Sequence, residues 1–313
     1  MSEQVCKADM GGGGAAGVDM YGYPVETTGN AVLDILEHRS STRAFARDDD
    51  DRPVAVTDEQ RAAILHAASR APSAGAMMMY SIVSIREQAR LDRLADLCDH
   101  QPMIAKAPWA LIFVVDYAKW IDLFEHVGCF EHDFVERTGK APRRAPGLGD
   151  FAIAAQDAVI AAQNAVVAAE ALGLGSCYIG DIVENAEEVA ALLDLPPYTM
   201  PLSMLIIGTP RKERPAIAHP VVNLVHEERY CRADAATMDA QVAEMDAMFR
   251  PHAREVGERV IDIYTRKHTS PFMAEMSRSM EWWFKKLARK MTNVTKGASL
   301  CHIPYRRGGL KAA

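Results

Sequence analysis

Residues 150–181 read "DFAIAAQDAVIAAQNAVVAAEALGLGSCYIGD", and this stretch decides the fold. The spacing predicts a long helix over 150–173, apolar on nearly every side and rich in alanine. A helix without a polar face must be buried all round. Its small residues let another helix approach closely, and a homodimer interface is an economical way to bury it. Gly173 stands where a C-terminal cap belongs, and "GSCYIG" (175–180) reads as a short strand. Gln156, Asp157, Gln163, Asn164 and Glu170 interrupt the apolar run, which argues against a membrane span.

Working outward, "NAVLDILEH" (30–38) reads as a helix. "TDEQRAAILHAASRA" opens with a capping box, Thr57 to Gln60, and ends at Ala71, because the residue before a proline avoids helical angles. "YSIVSI" (80–85) is a strand and "QARLDRLADLC" (88–98) a helix. "WALIFVVD" (109–116) is a buried strand by its unbroken apolar content. "NAEEVAALLD" (185–194) is a helix and "PLSMLIIG" (201–208) a strand. The remainder is helical and broken at Pro251. In its last helix Phe272, Met276, Met280, Trp283, Phe284, Leu287 and Met291 share one face. That face suits a membrane surface or packing on a dimer of this chain, and the second is favoured. No βαβ repeat emerges, so the class is α+β, with helices around a small sheet.

The 313 residues carry a net charge of −7, which speaks against a nucleic-acid binder. From Arg266 onward the charge is +9, leaving −16 on the rest. A basic arm of this kind can reach a partner subunit or an anionic ligand. Cys6, Cys98, Cys129, Cys177, Cys231 and Cys301 are scattered without a CxxC, as expected of reduced thiols in a cytoplasm. Residues 1–28 read as a flexible leader without a secretory signal. Their run Gly11–Gly14 follows no strand, so it is a poor phosphate loop. The basic stretch 137–149 reads as a lid or a linker.

Three stretches carry chemistry. His38-Arg39-Ser40-Ser41-Thr42-Arg43 puts two guanidinium forks and two serine hydroxyls together, as a phosphate requires. A solvated helix-end turn is the plainer reading. Gly173, Gly175 and Gly180 let backbone approach a ligand, or simply cap a helix before a buried strand; their spacing is not that of a dinucleotide loop. His126, Cys129 and His132 fall near one helical face, as a metal site needs, but no second ligand pair has metal spacing. A further corner, "RAPSAGAMMMYS" (70–81), sets three methionines after a rigid turn, and methionine packs well on flat rings.

Taken in order, "HRSSTRAF", "AASRAPSAGAMMMYSIV", "CDHQPMIAKAPWALIFVVD", "DAVIAAQNAVVAAEALGLGSCYIGD" and "MPLSMLIIGTP" resemble the nitroreductase family of FMN-dependent flavoproteins over roughly residues 29–230. The long helical C-terminus is similar to that of its larger, NADPH-oxidising flavin-reductase branch. The resemblance implies a nitroreductase-like fold with a mostly antiparallel sheet, and an intertwined homodimer with FMN at the interface. It implies a leader at 1–28, an FMN-binding domain at 29–230, and a helical extension at 231–313 packed on the dimer. His38, Arg39, Ser40, Ser41 and Arg43 would then meet the FMN phosphate and ribityl chain. Ser73, Gly75, Ala76 and Met77 would line the isoalloxazine, Gln101 its polar edge, and Tyr178, Ile179, Gly180 and Asp181 its N5 and O4 side.

The implied activity moves hydride from NAD(P)H through flavin N5 to a small electron-poor acceptor, a nitroaromatic, quinone or flavin, by a ping-pong route. No side chain is required as acid or base. A non-catalytic flavin binder, or specialised chemistry such as dehalogenation or ene reduction on the same fold, are the alternatives. No nucleic-acid or membrane partner is implied. The chain departs from the family at three points. Its arginine motif is one residue longer than Arg-Ser-x-Arg. Ala76 stands where relatives often have Asn. A Lys-Pro-Arg after the last strand is missing, and Arg211, Lys212, Arg214 or His219 are the candidates to replace it.

Overall fold

The computed structural model describes residues 17–18, 24–25, 28–139, 144–212, 225–252 and 254–288. The Gly11–Gly14 run, the middle of the basic loop, Arg214, His219 and the tail with Met291 lie outside the described residues. Strands β1 (Gly17–Val18) and β2 (Pro24–Val25) pair with each other. Then come α1 (Ala31–His38), α2 (Asp58–Ser69), β3 (Tyr80–Ile85), α3 (Gln88–Leu97), α4 (Pro102–Ala105) and β4 (Trp109–Asp116). Helices α5 (Ala118–His126), α6 (His132–Thr138) and α7 (Leu148–Ala171) lead to β5 (Gly175–Ile179), α8 (Ala186–Leu192) and β6 (Thr199–Gly208). The chain continues in α9 (Ala235–Phe249), α10 (Glu258–Ile263) and α11 (Pro271–Ala288).

Four strands form the central sheet in the order β3-β4-β6-β5, antiparallel throughout. The class is α+β, as the sequence implies. Strand β4 lies inside the sheet and is covered on both faces, which is why it reads as an unbroken apolar run. Trp109, Leu111 and Phe113 point into one layer with α2 and α7. Ala110, Ile112 and Val114 point into the other with α3 and α8.

Local signals fix the helix ends. The Thr57 amide donates to Gln60 Oε1 at 3.0 Å and the Gln60 amide to Thr57 Oγ1 at 3.2 Å, so the capping box is complete. Helix α2 stops at Ser69, two residues before the position expected from Pro72. Helix α11 packs on its own chain: Trp283 is fully buried and donates to the Val183 carbonyl at 3.2 Å. Ser279 Oγ donates to the same carbonyl at 2.7 Å.

The long helix departs from expectation. Helix α7 is long and apolar enough to cross a membrane. Its Ala154, Ala158, Ala161 and Ala165 are fully buried against the sheet layer, as in a core helix. Within one chain, however, it is not covered all round: Ile153, Val159 and Ile160 remain 44%, 47% and 39% exposed. Helix α1 beside it buries none of its residues and exposes Val32, Leu33 and Leu36.

Candidate functional site

The loop after α1 is zipped to the sheet. Ser41 forms a parallel bridge with Ser176 of β5, and the Thr42 amide donates to the Ser176 carbonyl at 2.8 Å. Further on, the Ala46 amide donates to Thr209 O at 2.8 Å, and the Arg211 amide donates back to Ala44 O at 3.0 Å. Arg39, Ser41 and Arg43 are thereby held beside Cys177 and Tyr178. The close approach that the glycines permit is made by protein: Gly175 has Thr42 against it. Ser40 is buried, and the Ile179 side chain is in the core, which leaves only its backbone for a ligand.

Charge at this loop is unbalanced. Among the described residues no carboxylate pairs with Arg39 or Arg43, and Arg39 Nε is buried without a hydrogen-bond partner. A buried donor without an acceptor is costly unless a ligand supplies one. His38 and Arg39 also line an open cavity of about 770 Å³, together with Lys212 and Thr209 from the far end of β6 and the carboxylates of Asp34 and Glu170. His38 Nδ1 itself lies 2.7 Å from the Asp34 carbonyl. Tyr178 keeps about 37% of its surface exposed, and its hydroxyl donates to Gln163 Oε1 at 3.3 Å. Desolvation pushes its phenol up to about 12, opposed by the charge of Arg39.

The methionine corner is a second wall. Ala74–Ala76 form a single tight turn in which Gly75 and Ala76 take φ of +58° and +55°, and Met78 follows at +47°. Asn and Gly are favoured over Ala in that left-handed region, so Ala76 holds its backbone there without their ease. The corner is tied from behind. Asp157 Oδ1 accepts from the Ala74 amide at 2.9 Å, and Oδ2 from the Met79 amide at 3.2 Å. Ser73 Oγ accepts from the Met78 amide at 3.1 Å, and Trp120 Nε1 donates to the Met77 carbonyl at 2.9 Å. A core role suits Met79, which is buried, but not Met78, which would be expected there with it and instead stays exposed beside Gly75 and Ala76.

The third part joins Gln101 to the turn after β5. Gln101 Nε2 donates to Asp181 Oδ2. Burial holds the Asp181 carboxyl above the usual range, opposed by the Gln101 bond and by the charge of Lys267 from the C-terminal extension. Glu184 is raised by burial and by Asp99 and Asp181, and burial pushes the Cys98 thiol up as well. Among the described residues no group of three His, Cys, Asp or Glu side chains could hold a metal.

The structure thus sets the arginine loop against β5, ties Gln101 to Asp181, and anchors the methionine corner to α7. It also displays groups that sequence reasoning passed over: Asp157, Lys119 and Trp120 behind the corner, and Thr42 within the loop. Asp157 did leave a signal, a charge inside an apolar helix.

Residues 36–209 match the model of the nitroreductase family. An FMN reductase (NAD(P)H) of Bacillus subtilis is 33% identical over 216 residues, which cover 68% of this chain and 79% of that protein. An oxygen-insensitive NADPH nitroreductase of Salmonella typhimurium is 32% identical over 219 residues, 68% of this chain and 81% of its own. Among solved structures, a hypothetical oxidoreductase from Bacillus subtilis superposes with a TM-score of 0.63 at 27% identity, covering 80% of this chain and 97% of that one. With the family model spanning more than half of the sequence, this chain belongs to the nitroreductase family.

Proposed function

We propose that this chain is an FMN-dependent oxidoreductase that takes hydride from NAD(P)H and delivers it to an electron-poor acceptor, a nitroaromatic, a quinone or a free flavin. The observation that carries the reading is the orphaned Arg39 Nε, on a loop whose two guanidinium groups lack carboxylate partners among the described residues. A phosphate provides the acceptor oxygens that such forks need. Among the described residues Lys212, a candidate for the missing Lys-Pro-Arg, lines the same cavity and adds a point charge. The names of the relatives, an FMN reductase and an NADPH nitroreductase, support the cofactor and the donor.

Bound FMN would supply the hydride carrier. The chain's own residues then have three tasks. Arg39, Ser41 and Arg43 hold the phosphate end. The Ser73–Met77 corner offers a flat, polarizable surface to the ring. The backbone of Tyr178 to Asp181 and the Gln101 amide offer polar contacts at the ring's edge. No proton need be moved by a side chain in hydride transfer, so none is assigned that role.

We also propose a homodimer. The apolar stripe of Ile153, Val159 and Ile160, next to Val32, Leu33 and Leu36, is the kind of surface a second copy covers. Among the described residues Cys98, Cys129 and Cys177 are free thiols, which supports a reducing cytoplasm.

The test is the visible spectrum of the purified chain before and after NADPH. Flavin bands that bleach on addition, and return with a quinone or nitroaromatic, support the reading. Bands that persist with both NADPH and NADH leave a flavin binder without this activity. A colourless protein that takes up no added FMN overturns it.

A further inference from the structure

Among the described residues three charged side chains are buried, Asp157, Asp246 and Lys286, and Asp157 is the most deeply so. Asp157 lies in the interior of α7, 2% exposed, with the fully buried Ala154, Ala158 and Ala161 around it. A buried carboxylate in such surroundings is costly unless hydrogen bonds engage it. Its two oxygens take the amides of Ala74 and Met79, the two ends of the corner, 83 and 78 residues away in the chain. Between those amides lie three residues in the left-handed region. Neither a helix ladder nor a strand ladder stabilises such a run, so its shape depends on the groups that tie it down.

Within the corner the Ala76 amide donates to the Ser73 carbonyl at 3.2 Å and the Met77 amide to the Ala74 carbonyl at 3.0 Å; the ties to other elements come from behind. Asp157 holds both ends, Ser73 Oγ holds the Met78 amide, and Trp120 holds the Met77 carbonyl. Lys119, next to Trp120, donates to the Tyr80 carbonyl at 2.6 Å, and burial pulls its ammonium below the ordinary value, opposed by the charges of Asp116 and Asp157. The side chains of Ala76 and Met78 stay exposed on the opposite side, while their backbone groups are engaged within the corner.

We infer that Asp157 is a positioning residue for the flavin ring, acting through the Ser73–Met79 corner and not by contact; the inference rests on the FMN reading above. The carboxylate fixes the corner so that its outer surface is preformed before the ring arrives, and preorganisation of this kind appears in affinity and in the asymmetry of the bound ring's surroundings. A carboxylate serving only as a core cap would change stability and nothing else.

The experiment uses the full chain, with Asp157→Asn, Asp157→Ala and Trp120→Phe beside the parent. Asn keeps one acceptor and turns an amide NH₂ toward the second donor, so one end of the corner is released. FMN affinity is read by fluorescence quenching and the ring's environment by visible circular dichroism. The expected result for Asp157→Asn is affinity lowered by roughly 10-fold or more, about 1.4 kcal/mol, with an altered visible spectrum and an unchanged far-ultraviolet spectrum. Trp120→Phe is expected to move both readouts the same way. Affinity and visible dichroism equal to the parent's in Asp157→Asn, with only a lowered melting temperature, overturn the inference. If the Asp157 variants do not fold, parent-like values in Trp120→Phe overturn it instead. A parent chain that binds no FMN overturns the underlying reading, and shows itself as a missing flavin signal before any variant is compared.

Discussion

Gly175 of β5 and Thr42 of the arginine loop pack so closely that a β-carbon on Gly175 would stand 2.7 Å from the Thr42 β-carbon. The loop carrying the proposed phosphate ligands rests on that missing side chain. Gly175→Ala must push the loop off β5. Overpacking of this kind costs about 1–3 kcal/mol, to be read as a lowered urea midpoint together with weaker FMN binding. A variant as stable as the parent would show that the loop is not held there.

Ala76 sits at φ +55° without the freedom of glycine. Ala76→Gly removes a strain of about 1–2 kcal/mol and adds back part of it as chain entropy. The expected net gain is up to about 1 kcal/mol. Ala76→Val, β-branched in the same region, is expected to lose at least about 1 kcal/mol. Thermal unfolding of the pair checks both signs.

Arg39 is the orphaned donor of the site. If it grips a phosphate, Arg39→Ala loses a charge-assisted bond of about 1.5–3 kcal/mol, seen as weaker FMN binding in a fluorescence titration. Arg39→Lys keeps the charge but not the fork, and should fall between the two. The melting temperature of the flavin-free Arg39→Ala protein should not fall, because the variant also removes the buried donor that lacks an acceptor.

Asp150, at the start of α7, is gripped by Arg144 at 2.6 and 2.9 Å. That bond is the main reason its carboxyl falls to about 2. A depressed carboxyl stabilises the fold above its unfolded value, near 4, and the benefit disappears as pH falls through about 2. Arg144 is largely in solvent, so screening reduces the contribution to about 1 kcal/mol. In Asp150→Asn the acid-induced loss of stability between those pH values should shrink by that amount, measured by urea unfolding across the range.

The exposed stripe on α7 carries the dimer proposal. Val159→Arg places a charge in the middle of it. Light scattering should then report a monomer where the parent is a dimer, with FMN uptake reduced. A parent already monomeric at micromolar concentration would remove the proposal.

Much of the fold was legible because its signals are local. The capping box at Thr57 and Gln60 fixed one helix start, and the unbroken apolar run Trp109–Val115 identified a strand buried on both faces. The arginine loop was legible only as a candidate, since two guanidinium groups beside two serines suit a phosphate but also a solvated turn. The tie from Asp157 to Ala74 was not. Asp157 stands out as a charge in an apolar helix, but nothing near it names its partner, and only the fold brings Ala74 within 2.9 Å. Gly175 looked like an opening for a ligand, but the space belongs to Thr42, and no local pattern records a partner so distant in the chain.

The bridge between Ser41 and Ser176 has a further consequence for the order of events during synthesis. The arginine loop leaves the ribosome early, but the strand that shapes it comes much later, after α7 has been made. Until then, the loop has no surface on which to settle. Contacts this distant form late, so a truncated or stalled chain would carry the ligand-binding residues without the site. Release of a chain able to take up cofactor would follow, and not precede, pairing of β5.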